Sequence, residues 1–128
     1  MTAGNTLPKA ERLSGRTLIE KLFTGGNKSM SAFPLRIVYM PAEGESLPTV
    51  SVLFSVPVKR FRRAVKRNHV KRQLREAYRR HKSLLVDALE RAGKKAVVAF
   101  IWQDKELHDT RVVEERVCRL LRLVAERV

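Results

Sequence analysis

Side chains able to make or break bonds are few in this 128-residue chain, and they are scattered. His69, His81 and His108 lack the short spacing of a metal pair, and Cys118 is the chain's single cysteine. Glu114 and Glu115 are adjacent, so on a helix they point about 100° apart and cannot work as a carboxylate pair. Gly25-Gly26 follows a helical pattern, not a strand, and reads as a cap and not as a phosphate loop. The absence of clustered carboxylates argues against a self-sufficient metal-dependent nuclease. What the chain offers in quantity is fixed positive charge. Lys59 to Lys82 (KRFRRAVKRNHVKRQLREAYRRHK) holds twelve of the 27 Lys and Arg residues and one acid, Glu76, a formal +11 of the chain's +14. Like charges packed together repel in the compact state, so this focusing points to a polyanionic partner. Arginine outnumbers lysine in the run, which suits two-pronged contact with phosphate.

The run must be displayed by a helix. At helical spacing Val70, Leu74, Ala77, Tyr78 and His81 fall on one side as a core-facing stripe. Asn68, Arg72, Arg75 and Arg79 form the opposite stripe, with Lys71 at its edge. Arg67 lies beside the apolar face, where its long stem can run along the rim. Glu76 is placed to pair with Arg72 or Arg80. Ala64 and Val65 fall off the stripe, and the first turn is expected to bury them against something else. A membrane-surface helix would need larger apolar residues than this side carries, which instead suits packing on a sheet.

Length allows one domain with one core, 1–128, of which 1–13 is expected to be an extended arm. The chain is 44% apolar, enough to fold despite its charge. A lone cysteine fits a reducing cytosol, the longest apolar run is too short to cross a bilayer, and the N-terminus lacks the apolar core of a signal peptide. A cytoplasmic protein is expected. Ser14 can cap a short helix from about Gly15 to Thr24, and Asn27 to Ser31 reads as a loop. Phe33 to Met40 and Thr49 to Val56 read as strands joined by a hairpin loop, Pro41 to Pro48, and antiparallel by proximity. After the basic helix, Ser83 is placed to cap a segment from Leu84 to Ala92 closed by Gly93. Ala96 to Trp102 is a buried strand by its continuous apolar run, Asp104 to Asp109 a turn, and Thr110 to Val128 an amphipathic helix. The order α-β-β-α-α-β-α makes a small mixed, mostly antiparallel sheet with helices packed on it, an α+β fold.

The run Ala64-Val65-Lys66-Arg67-Asn68-His69-Val70-Lys71-Arg72, followed by Leu74-Arg75-Glu76, resembles the signature of the bacterial ribonuclease P protein subunit, A-V-x-R-N-R-x-K-R-x-x-R-[EQ]. Lys9 to Leu13 and Ile19 to Gly26 resemble that family's opening helix, and Lys59-Arg60 its two basic residues before the signature. The resemblance covers about residues 7 to 128. His69 stands where the family has the second arginine of R-N-R, so a fixed charge becomes titratable. Ile19 replaces a frequent phenylalanine, Arg36 a strand tyrosine, and Arg62-Arg63 a small Gly-containing element.

The resemblance implies the protein subunit of a ribonucleoprotein whose RNA, with Mg2+ held mainly by that RNA, removes the 5′ leader of precursor tRNA. It also implies a left-handed βαβ crossover, a signature helix on the catalytic RNA, and a cleft between the first helix and the sheet for the leader. The RNA-binding residues are then Lys59, Arg60, Arg67, Asn68, Lys71, Arg72, Arg75 and Arg79. The leader-groove candidates are Ile19, Phe23, Phe33 and Arg36, the two phenylalanines as stacking faces. The partners are the ribonuclease P RNA and precursor tRNA, with no membrane and no obligate protein partner, and no catalytic residue is assigned. The competing reading is a structural RNA-binding protein of ribosomal type, which shares the charge and lacks a leader groove.

Overall fold

The computed structural model describes residues 28–42 and 47–128. Its elements are β1 (Lys28–Ala32), β2 (Leu35–Ala42), β3 (Val50–Ser55), α1 (Ala64–His81), α2 (Ser83–Ala92), β4 (Lys95–Trp102) and α3 (Thr110–Ala125). The four strands form one mixed sheet in the order β1-β2-β4-β3, with β3 parallel to β4 and the other pairs antiparallel. The fold is α+β, as the pattern of elements requires. The opening helix, Ile19 and Phe23 lie outside the described residues.

The central strand is the most apolar one. In β4, Ala96, Val98, Phe100 and Trp102 join the main core under the helices, while Val97 and Ala99 join Val38 in a small cluster on the other face. A strand buried on both faces gains most when flanked on both sides, which explains its position between β2 and β3. The hairpin expected between Phe33–Met40 and Thr49–Val56 is therefore absent: β4 lies between the two strands and pairs with both. Leu35 pairs with Trp102 at one end of the β2–β4 ladder and Ala42 with Lys95 at the other. The loop expected at Asn27 to Ser31 is mostly an edge strand, β1, whose Met30 and Ala32 alternate with Ser29 and Ser31. Its weak apolar content and terminal lysine suit an edge. Phe33 is not a strand residue but sits in the β1–β2 turn, joined to Pro34 by a cis peptide.

β3 leads through a turn, in which the Arg60 amide donates to the Pro57 carbonyl, into α1. The helix lays Val70, Leu74, Ala77 and Tyr78 into the core, as its stripe predicts, and buries Gln73 as well. Tyr78 meets Phe54 and Phe100 edge-on at 5.9 and 6.2 Å, and those two rings stack at 5.8 Å, fastening helix to sheet. Ala64 and Val65 begin the helix but are exposed, not buried in its first turn. α2 starts at Ser83 with no side-chain cap, and stops at Gly93, whose positive φ of 66° lets the amides of Gly93 and Lys94 close on Glu90 and Leu89. α3 is capped by Asp109, whose carboxylate accepts from the Arg111 amide, and buries Val113, Val117, Leu120, Leu121 and Val124.

Candidate nucleic-acid interface

α1 crosses α3 on the helical side of the sheet and turns its polar stripe away from both. Asn68, Arg72 and Arg75 are exposed and Lys71 half-exposed. None of the four side chains has a hydrogen bond or ion pair among the described residues. Arg79 differs. Its guanidinium holds the Glu76 carboxylate through Nε at 3.1 Å and through Nη2, while Arg80 Nε reaches the same carboxylate at 3.3 Å. The hydrogen bonds from Arg79 keep the Glu76 carboxyl below the ordinary carboxylate range, and the pairing raises that of Arg79. Glu76 thus chooses Arg79 and Arg80, not Arg72, and the one acid of the basic run is used up at the C-terminal end of the helix. The N-terminal two-thirds of the stripe keeps its charge uncompensated.

Arg67 is half-buried on the rim, as its place beside the apolar stripe predicts. Its Nη1 donates to the carbonyls of Phe61 and Arg62 at 2.7 and 2.8 Å, tying the entry loop, anchored by buried Phe61, to the first turns of α1. Lys59 is exposed on that loop, and Arg60 is half-buried with its Nε enclosed and without a partner among the described residues. Lys59 and Arg67 therefore share one end of the molecule with the start of the stripe.

The leader-groove candidates are placed apart. Arg36 alternates out of the core on β2, onto the sheet face that carries Val38 and away from α1, where its Nη2 donates to Ser29 Oγ at 3.3 Å. Phe33 is 60% exposed, so its ring is not part of the core. It is also held in place: its carbonyl accepts from Arg116 Nε of α3 at 2.9 Å, and its ring stands edge-on to His108 at 6.3 Å.

The residues that support this end were not singled out from sequence. His108 is fixed by a 2.6 Å bond between its Nε2 and Asp104 and by edge-on contact with buried Trp102. That bond, with help from the Lys105 and Glu106 amides, lowers the Asp104 pKa. Gln73 Nε2 of α1 donates to the His108 carbonyl and to Thr110 Oγ1, at 3.1 and 3.0 Å. The basic helix and the β4–α3 loop are thus joined by hydrogen bonds, and the exposed ring meets them through its edge-on contact with His108.

Two acids of α3 are engaged by bases: Glu114 by His81 at 2.7 Å and by Arg80, Glu115 by Arg116 and Arg119. No three His, Cys, Asp or Glu side chains among the described residues are grouped to hold a metal ion. No described helix is long and apolar enough to cross a membrane.

A mixed sheet under a helix whose outward guanidinium groups are unpaired among the described residues defines a small, basic α+β protein. Comparison narrows the class. The family model "Ribonuclease P" matches residues 7–122. The chain is similar to the ribonuclease P protein component of Porphyromonas gingivalis, 44% identical over 122 residues and covering 95% of this chain and 88% of that one. It is 38% identical over 105 residues to the component of Chlorobaculum tepidum, covering 77% and 68%. The fold resembles the ribonuclease P protein from Thermotoga maritima, with a TM-score of 0.68 and 24% identity over 88% of this chain and 96% of that one. This chain belongs to the ribonuclease P protein family.

Proposed function

We propose that this protein is the protein subunit of ribonuclease P, a single RNA-binding domain acting in the cytoplasm. In this reading it binds the catalytic RNA through Asn68, Lys71, Arg72 and Arg75 of α1, with Lys59, Arg60 and Arg67 at the helix entry. Arg79, held by Glu76, has the smaller part. The precursor tRNA leader is met on a second surface, with Phe33 as a stacking face and Arg36 as a phosphate contact. Contacts to phosphates and to ring faces suit a leader of variable sequence. The RNA subunit carries out the endonucleolytic hydrolysis that frees the mature 5′ end, and Mg2+ is bound mainly by that RNA. The protein's part is positioning and charge neutralisation.

The observation that carries the reading is the unpaired, outward face of α1 on a family signature. It is tested by mixing purified protein, the cognate catalytic RNA and precursor tRNA at low magnesium. Leader removal stimulated only when both macromolecules are present supports it. RNA binding without stimulation points to the structural RNA-binding alternative, and cleavage by the protein alone overturns the assignment of chemistry to the RNA.

A further inference from the structure

The loop that leads into α1 carries two arginines to which the proposed function gives no part. Arg62 and Arg63 are exposed, and neither side chain has a hydrogen bond or ion pair among the described residues. Residues 47–75 contain no Asp or Glu, and the first acid of α1, Glu76, is held by Arg79 and Arg80. Arg63 is the N-cap of α1, but its side chain bonds no helix amide and the first turn holds no acid. Cations at this end of a helix are opposed by its dipole. The stability of α1 therefore gives no reason for two arginines here.

The backbone that bears them is nevertheless fixed. The Arg60 amide donates to the Pro57 carbonyl at 3.0 Å, and the Phe61 ring is only 5% exposed. Arg67 then reaches back from α1, its Nη1 donating to the carbonyls of both Phe61 and Arg62. Two charges on a clasped backbone have less freedom to lose on meeting a ligand than two on a loose one. Arg63 precedes Asn68 by five residues, about 7.5 Å along the axis at 1.5 Å per residue, so the cationic face of α1 continues onto the loop.

We propose that Arg62 and Arg63 contact phosphates of the RNA that α1 binds, and that Arg67 positions them by clasping the loop. The inference rests on the RNA-binding reading, adds two contacts to it and gives Arg67 a part played through its neighbours. Arginine suits that part, because its planar fork reaches two acceptors where an ammonium on a shorter stem does not.

The test is equilibrium binding of full-length variants to the cognate catalytic RNA at several salt concentrations, with matched melting curves. R62A/R63A removes two contacts, so the slope of log affinity against log salt flattens by about 1.8. The wild-type advantage then shrinks about tenfold between roughly 50 and 200 mM salt. R67K keeps the charge but ends one bond short of the two carbonyls. It flattens the slope in the otherwise wild-type protein and changes nothing further in the R62A/R63A background. A part confined to holding α1 together would leave the slope of the folded variant where it was. An unchanged slope in R62A/R63A overturns the two contacts. A wild-type slope in R67K, or the same flattening by R67K in both backgrounds, overturns the positioning. Failure of the α1 reading shows separately: R72A/R75A then keeps the wild-type slope while R62A/R63A still flattens it.

Discussion

Replacing Arg72 and Arg75 by alanine should change how RNA binding responds to salt, and replacing Arg79 should not. The first two guanidinium groups are exposed and unpaired among the described residues, whereas the third already holds Glu76. Each phosphate contact contributes about 0.9 to the slope of log affinity against log salt on a duplex. Losing two contacts flattens the slope by about 1.8. Between roughly 50 and 200 mM salt, a fourfold change, the ratio of wild-type to double-variant affinity should then shrink by about tenfold. Arg79→Ala should alter the slope by less than about 0.5, because its charge is spent within the helix. Substitutions on an exposed face should leave stability within about 0.5 kcal/mol, so matched melting curves show that binding alone has changed. The assay is equilibrium binding of the catalytic RNA at four or five salt concentrations. An unchanged slope in the double variant, or equal flattening by Arg79→Ala, would refute the division of the stripe into free and spent charges.

Phe33→Ala should lower affinity for precursor over mature tRNA by about 1–3 kcal/mol if the ring stacks on a base. Being 60% exposed, it should melt close to the wild type; equal losses for both tRNAs would remove it from the leader surface. Leu74→Ala, at a fully buried position under α1, should cost about 2–5 kcal/mol in urea or thermal unfolding, and a loss below 1 kcal/mol would contradict the packing of the helix on the sheet. Asp104 has its pKa lowered below the ordinary 3.8 by His108. Its contribution is complete above the unfolded value and is lost as pH falls through the lower folded one. The melting-temperature gap between wild type and Asp104→Asn should therefore be open at pH 6 and close below about pH 4, and a gap constant down to pH 2 would count against the His108 pairing.

Periodicity was enough to read α1, because one side of the helix has a sheet beneath it and the other has nothing. Val70, Leu74, Ala77 and Tyr78 went in, and Arg72 and Arg75 went out. The same holds for β4, whose unbroken apolar run is the mark of a strand covered on both faces. Strand order was not legible, since the preference for β4 at the centre depends on residues 53 to 67 positions from their partners in β2. β1 was missed because a serine-rich edge strand with only Met30 and Ala32 turned inward carries little apolar signal. At the candidate site, charge could be read but not its state. Glu76 faces Arg72, Arg79 and Arg80 at almost equal helical spacing, and rotamer geometry decided for the last two. Gln73 looked like one more polar residue of a basic helix. Its value lies in bonds to His108 and Thr110, 35 and 37 residues away.

The most direct test of the account is the single-turnover rate of precursor tRNA cleavage at low magnesium, with the catalytic RNA fixed and the protein titrated. R72E/R75E should leave the rate at that of RNA alone where wild-type protein already saturates, and should approach the wild-type rate when the variant is added at much higher concentration. Full stimulation by the variant at the wild-type concentration would contradict the claim that the outward face of α1 holds the RNA.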